Sequence, residues 1–143
     1  MTALSLDKAR KIIAAALARA AELKLKPLGI SVLDAGGHLV AFERQDGASF
    51  LRYQIGSGKA FGALAIGAGS RSVANAAIER PHFMQGLSGV SEGRVVPVPG
   101  GVLIRDGSGA IVGAVGISGD TSDNDEAAAV AGIEAAGFTA DAG

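Results

Sequence analysis

Gly29-Ile-Ser-Val-Leu-Asp-Ala-Gly-Gly-His-Leu-Val-Ala-Phe-Glu-Arg44 reads as a strand, a turn and a returning strand in one run. Gly29 to Leu33 is short and apolar, Asp34-Ala-Gly-Gly37 supplies residues that tolerate positive φ, and His38 to Arg44 carries the chain back. The pattern predicts a β-hairpin. Period two puts Val40, Phe42 and Arg44 on one face of the second strand and Leu39, Ala41 and Glu43 on the other. Arg44 is therefore expected at the strand end, beyond an apolar face.

Before this hairpin, Ser5 can cap a helix in which Ala9, Ile12, Ile13, Ala16, Ala20 and Leu23 recur at three- and four-residue spacing. Pro27 ends that segment, because the residue before a proline is driven out of the helical region. After the hairpin, Phe50 to Gly67 is helical in pattern and rich in Ala and Gly, with Arg52, Tyr53 and Lys59 as its main polar or amphipathic side chains. Gly58 and Gly62 strip one face of it, which suits close approach of a sheet or a neighbouring subunit. A second short helix is expected over Val73 to Glu79, closed by Pro81. His82 to Arg94 has turn residues and no clean period, and is expected to be an irregular loop. Val102 to Arg105 and Ala110 to Ser118 read as strands around the turn Asp106-Gly-Ser-Gly109. Ser122 with Asp125 three residues on forms a capping box for a last helix to about Ala136, where Gly137 can stop it. The order helix, hairpin, helix pair, hairpin, helix predicts an α+β fold, an antiparallel sheet with helices on its faces, in one domain spanning 1–143.

Composition narrows the function. The 143 residues are 48% hydrophobic and 19% charged with net charge −1, which argues against disorder and against a nucleic-acid partner. No cysteine is present, so disulfides, thiolate metal sites and cysteine nucleophiles are excluded. That agrees with a cytoplasmic location. Lys8, Arg10 and Lys11 before Ile12 to Ala18 superficially resemble a secretory leader, but Arg19 interrupts the run and its apolar residues fall on one helical face. Phe61 to Ala68 is far too short to span a bilayer, so no membrane association is expected.

Familiar catalytic motifs are missing. Gly58-Lys59 lacks both the upstream glycine and the downstream hydroxyl of a phosphate loop. Asp120 to Glu126 is acidic but lacks the ligand alternation of a calcium loop, and its carboxylates suit a helix N-terminus. There is no Gly-x-Ser-x-Gly elbow and no His-x-x-x-His pair. The chemistry that remains rests on few residues. His82 sits beside Phe83 and Met84, where an imidazole, an aromatic face and a thioether can meet a flat cofactor. Lys59, on a helix of small residues, can project into a cleft and bind an anion, or snorkel at the surface. Gly100-Gly101 and Gly116-Ile-Ser118-Gly119 offer backbone N–H groups at strand ends, either as an anion nest or as plain turns.

Val32 to Ala48, Lys59-Ala60, Pro97-Val-Pro-Gly-Gly-Val-Leu-Ile104, Ile111-Val-Gly-Ala-Val-Gly-Ile-Ser-Gly119 and Asp125-Glu126-x-x-Ala129 together resemble the successive signatures of the GlcG/HbpS family, which is similar to the PduO C-terminal domain. The resemblance covers nearly the whole chain. It departs at Lys59-Ala-Phe-Gly-Ala63, without the usual hydroxyl, and at Gly100-Gly-Val-Leu-Ile104, without the usual proline. It implies a profilin-like sheet of about five strands flanked by helices, assembly into a homo-oligomer, and haem binding or haem degradation.

Three functions follow as expectations. The leading one is a small haem-binding protein in which His82, with Met84, offers the iron ligand, and Arg44 or Lys59 pairs with a propionate. The second is an enzyme acting on a small carboxylate or oxo-acid. In it Arg44 and Lys59 hold the anion, Gly100 and Gly101 stabilise an oxyanion, and His82, Asp125 or Glu126 moves a proton. The third is a non-catalytic assembly or sensor module.

Overall fold

The computed structural model describes residues 3–143. Its chain order is α1 (Leu6–Glu22), β1 (Gly29–Asp34), β2 (Leu39–Arg44), α2 (Arg52–Ile66), α3 (Ser70–Glu79), α4 (Pro81–Val90), β3 (Gly101–Arg105), β4 (Ile111–Ser118), α5 (Ser122–Ala135) and β5 (Thr139–Asp141). The strands form one five-stranded antiparallel sheet in the order β2-β1-β4-β3-β5. The α+β class and the antiparallel sheet expected from the order of elements are both present.

Alternation along the strands divides the core in two. Ile30, Val32, Val102, Ile104, Val115 and Ile117 face α1 and α5, where they meet Ile12, Ile13 and Ile133. Leu33, Leu103 and Ala114 face α2 on the opposite side, against Ala60 and Ala63. Each fully buried Val, Leu or Ile contributes about 1.5–3 kcal/mol, so the larger first cluster dominates stability. The side chain of Ser5 caps α1 by accepting from the Lys8 N–H at 3.1 Å.

Glycine sets how closely α2 approaches the sheet. A Cβ on Gly116 would strike the carbonyl group of Gly56, and one on Gly101 would strike that of Lys59. Gly58 and Gly62 play a different part from the one their spacing suggested. The bare face they form receives Arg94, Val95 and Val96 of this same chain.

Both hairpins turn on the same device. Asp34 Oδ1 accepts from the N–H groups of Gly36 and His38, and Asp106 Oδ1 from those of Ser108 and Ala110, all at 2.9–3.0 Å. Gly37 and Gly109 take the left-handed positions at φ 83° and 86°. The donated bonds hold both carboxyls below their ordinary range, led by the His38 N–H at Asp34 and by the Ser108 hydroxyl at Asp106.

Four local expectations need correction. His82 to Arg94 is mostly the helix α4 rather than a loop, because Pro81 occupies its first turn, where a missing N–H costs nothing. Arg80 closes α3 and opens α4 at once. The helix expected from Val73 begins at Ser70. Thr121, not Ser122, caps α5, accepting from the Asn124 N–H at 3.2 Å, so Asp125 is free of the capping box. Strand β5, only three residues long, had no sequence signature of its own.

Candidate functional site

Lys59 leaves α2 where the glycines let the helix lie on the sheet. Its Nζ donates to the Ile117 carbonyl at 2.8 Å and to Asp125 Oδ2 at 3.1 Å. Asp125 Oδ1 accepts from the Asp120 N–H at 2.9 Å. The two side chains are 3% and 1% exposed, so a ligand has no access to either. Burial pushes the lysine's pKa down, opposed by the attraction of the Asp125 carboxylate. Gly100, at φ 120°, passes so near that a Cβ there would lie 2.8 Å from Nζ. Arg52, two helical turns before Lys59, donates to the buried Ser118 hydroxyl at 3.0 Å.

The structure thus gathers Lys59, Asp125, Gly100, Gly101 and Ser118 at the ends of β3 and β4, in an enclosed clamp between α2 and α5. It leaves the other candidates elsewhere. Glu126 pairs with Arg71, Nε to Oε2 at 3.0 Å. Arg44 is exposed and lines a shallow groove with Leu25, Pro27, Gln45 and Asp46. His82 is exposed on α4, and Met84, on the same helix, is half-buried. Among the described residues, no group of three or more His, Cys, Asp or Glu side chains is placed to hold a metal ion.

A separate cavity of about 380 Å³ opens between α2, the β1–β2 hairpin and the segment that follows α4. Leu33, Leu39, Ile55, Phe61 and Val96 give it apolar walls, and Gly58 and Gly93 leave room in them. Its polar features are Tyr53, Gln54, Ser57 and Arg94. The Arg94 guanidinium lies 4.0 Å from the centre of the Phe61 ring, and its Nε donates to the Ser91 carbonyl at 3.3 Å. Tyr53 packs edge-on to Phe42, with ring centres 5.0 Å apart. Ser57 shares a 2.8 Å hydrogen bond with the buried Ser31. Leu39 and Tyr53 are partly exposed, so apolar surface reaches solvent at the cavity.

This arrangement can take a flat apolar body that carries an anionic group. A cation over an aromatic face is worth about 0.5–1 kcal/mol at an exposed site. A hydrogen bond to a charged partner is worth about 1.5–3 kcal/mol, so a carboxylate can draw Arg94 off Phe61. Sequence reasoning missed Arg94 and Phe61 as site residues and noted Tyr53 only as a polar side chain. Tyr53, Ser57 and Phe61 do fall at four-residue spacing on one helical face. Arg94, 33 residues beyond Phe61, carries no such local signal.

Residues 4–134 match the haem-degrading HbpS-like protein family. A Citrobacter freundii 15.0 kDa protein encoded in the dhaT-dhaS intergenic region is 30% identical over 122 residues, 85% of this chain and 84% of its own length. Among solved structures, a PduOC:heme complex superposes with a TM-score of 0.84 at 27% identity, covering 96% of this chain and 97% of that one. A variant of Streptomyces reticuli HbpS superposes with a TM-score of 0.79 at 27% identity, covering 94% and 87%. The chain belongs to the HbpS-like family, as its sequence signatures implied. None of its described helices is long and apolar enough to cross a membrane.

Proposed function

We propose that this protein binds haem in the cavity between α2, the β1–β2 hairpin and the segment after α4. The observation that carries the reading is an apolar cavity holding a guanidinium parked on an aromatic ring, in a chain whose structural relative PduOC was crystallised with heme. The lining suits the group. The Leu33, Leu39, Ile55 and Val96 walls match the ring, Arg94 matches a propionate, and the Tyr53 phenol is an oxygen donor of a kind that holds haem iron elsewhere. Bound haem would supply an iron centre for one-electron and oxygen chemistry. The chain's own part is to bind, orient and exclude water. His82 and Met84 lie outside the lining and offer a ligand set only to a haem held on α4. In this reading the enclosed Lys59–Asp125 pair keeps α2 in place behind the cavity and touches no ligand.

Titration of the purified protein with ferric haem, followed in the Soret region, tests the reading. A saturable shift near one equivalent is expected, weakened by Arg94→Ala, altered in band position by Tyr53→Phe, and unchanged by His82→Ala. No saturable shift in the wild type overturns haem binding. Loss in His82→Ala with full retention in Arg94→Ala and Tyr53→Phe moves the site to α4.

A further inference from the structure

Helix α4 approaches only α3 among the described elements, and none of its ten residues is buried. From Pro81 to Val90 it carries no formal charge. Phe83, Gly86, Leu87 and Val90 follow one another at three-, four- and seven-residue offsets, which places them on one face. Phe83 is 40% exposed and Val90 83%.

The glycines make the same point from another direction. A Cβ at Gly86 or Gly89 would meet nothing within 4 Å, and neither residue has a left-handed backbone. Nothing in the chain's own packing calls for glycine there, although glycine weakens a helix. A second backbone lying across the helix would call for it.

We propose that α4 is a self-complementary seam through which two copies of this chain associate, antiparallel about a two-fold axis at Gly86. The charges at the ends of the helix favour this occupant and this direction. Arg80 stands at the N-terminal junction and Glu92 just past the C-terminus, each six residues from Gly86 and each exposed. An antiparallel two-fold through Gly86 sets Arg80 against Glu92 of the partner subunit at both ends of the seam. The parallel arrangement would set like charges together. A two-fold interface uses one patch twice, as an uncharged stripe flanked by opposite charges allows. Antiparallel packing also brings each helix's positive end to the other's negative end. The helix spans only about 15 Å, so the contact is at the small end of specific interfaces and the dimer dissociates on dilution. The proposal stands apart from haem binding.

Sedimentation velocity across a dilution series tests it. The wild type is expected to shift from monomer to dimer as concentration rises. Gly86→Glu puts two like charges on the axis, and since the monomer has open space there, the variant should fold with a more stable α4 and stay monomeric. Arg80→Glu and Glu92→Arg should each weaken association at least tenfold, and the double exchange should restore it. That restoration separates a designed pairing from loss of the Arg80 contact with the Phe83 ring, which lies 4.5 Å away. A wild type that stays monomeric to roughly millimolar concentration overturns the proposal. So does association that Gly86→Glu leaves unchanged, or a double exchange as weak as the single ones.

Discussion

Lys59 Nζ and Asp125 Oδ2 meet at 3.1 Å from helices on opposite faces of the sheet, reaching each other around its end at Ile117. Each has a second partner, the Ile117 carbonyl for the ammonium and the Asp120 N–H for the carboxylate, so the pair is satisfied although it is dry. Removing one member strands the other. Lys59→Met should therefore cost about 3–5 kcal/mol. Lys59→Met with Asp125→Leu should cost less than the single change, because no buried charge remains. Urea unfolding of the two variants checks this, and a Lys59→Met cost under about 1 kcal/mol would contradict an enclosed pair.

Asp120 gives the fold an acid limb. Its carboxylate accepts from Asn124 Nδ2 and from the N–H groups of Thr121 and Lys26, which lower its pKa to about 2, the Asn124 bond most. A group whose folded pKa lies below its unfolded value contributes stability above the unfolded value and loses it as pH falls toward the folded one. The window runs from 3.8 down to about 2. The difference in urea midpoint between wild type and Asp120→Asn should be constant near neutrality and shrink across that window. A difference that grows with acid would refute the assignment.

Close packing of α2 on the sheet predicts an asymmetry among glycines. Gly116→Ala drives a methyl group into the Gly56 carbonyl and should cost about 1–3 kcal/mol, the range for overpacking. Gly107→Ala, with open space and no left-handed φ, should fall within about 0.5 kcal/mol of wild type. Equal thermal shifts for the two would show that the helix is not held against the strand by contact.

At the cavity, Arg94→Ala should lower haem affinity roughly 10- to 100-fold, the equivalent of one hydrogen-bonded charge pair. Arg94→Lys keeps the charge and loses the fork, so it should fall between. Equilibrium titration in the Soret region measures both. An Arg94→Ala affinity equal to wild type would take the guanidinium out of the site.

The sequence made the sheet legible where local chemistry decides local structure. Apolar strands around Asp34-Ala-Gly-Gly37 and Asp106-Gly-Ser-Gly109 define both hairpins, and the α1 stripe reads directly as the face buried on the sheet. Helix α4 was obscured because Gly86 and Gly89 dilute its pattern and Pro81 signals a stop as readily as a start. The candidate site was harder. Lys59 and Asp125 were singled out as separate chemical groups, and only packing shows that they occupy each other. Tyr53 and Phe61 share a helical face that sequence can display. Their meeting with Arg94 depends on how the chain returns after α4, which no short-range pattern encodes.

The twin aspartate loops bear on how the molecule reaches its native state. Each hairpin closes over a few residues and needs no help from the rest of the chain, and isolated hairpins form in about 1–10 μs. The seam between them is of another kind, since β1 pairs with β4 from Gly29 against Ser118 to Asp34 against Gly113, across most of the polypeptide. Closing so large a loop carries an entropic cost that is recovered only once the central strands and their helices are in contact. Folding speed should therefore be set by the meeting of two ready-made halves, and improving either turn should slow unfolding more than it hastens folding.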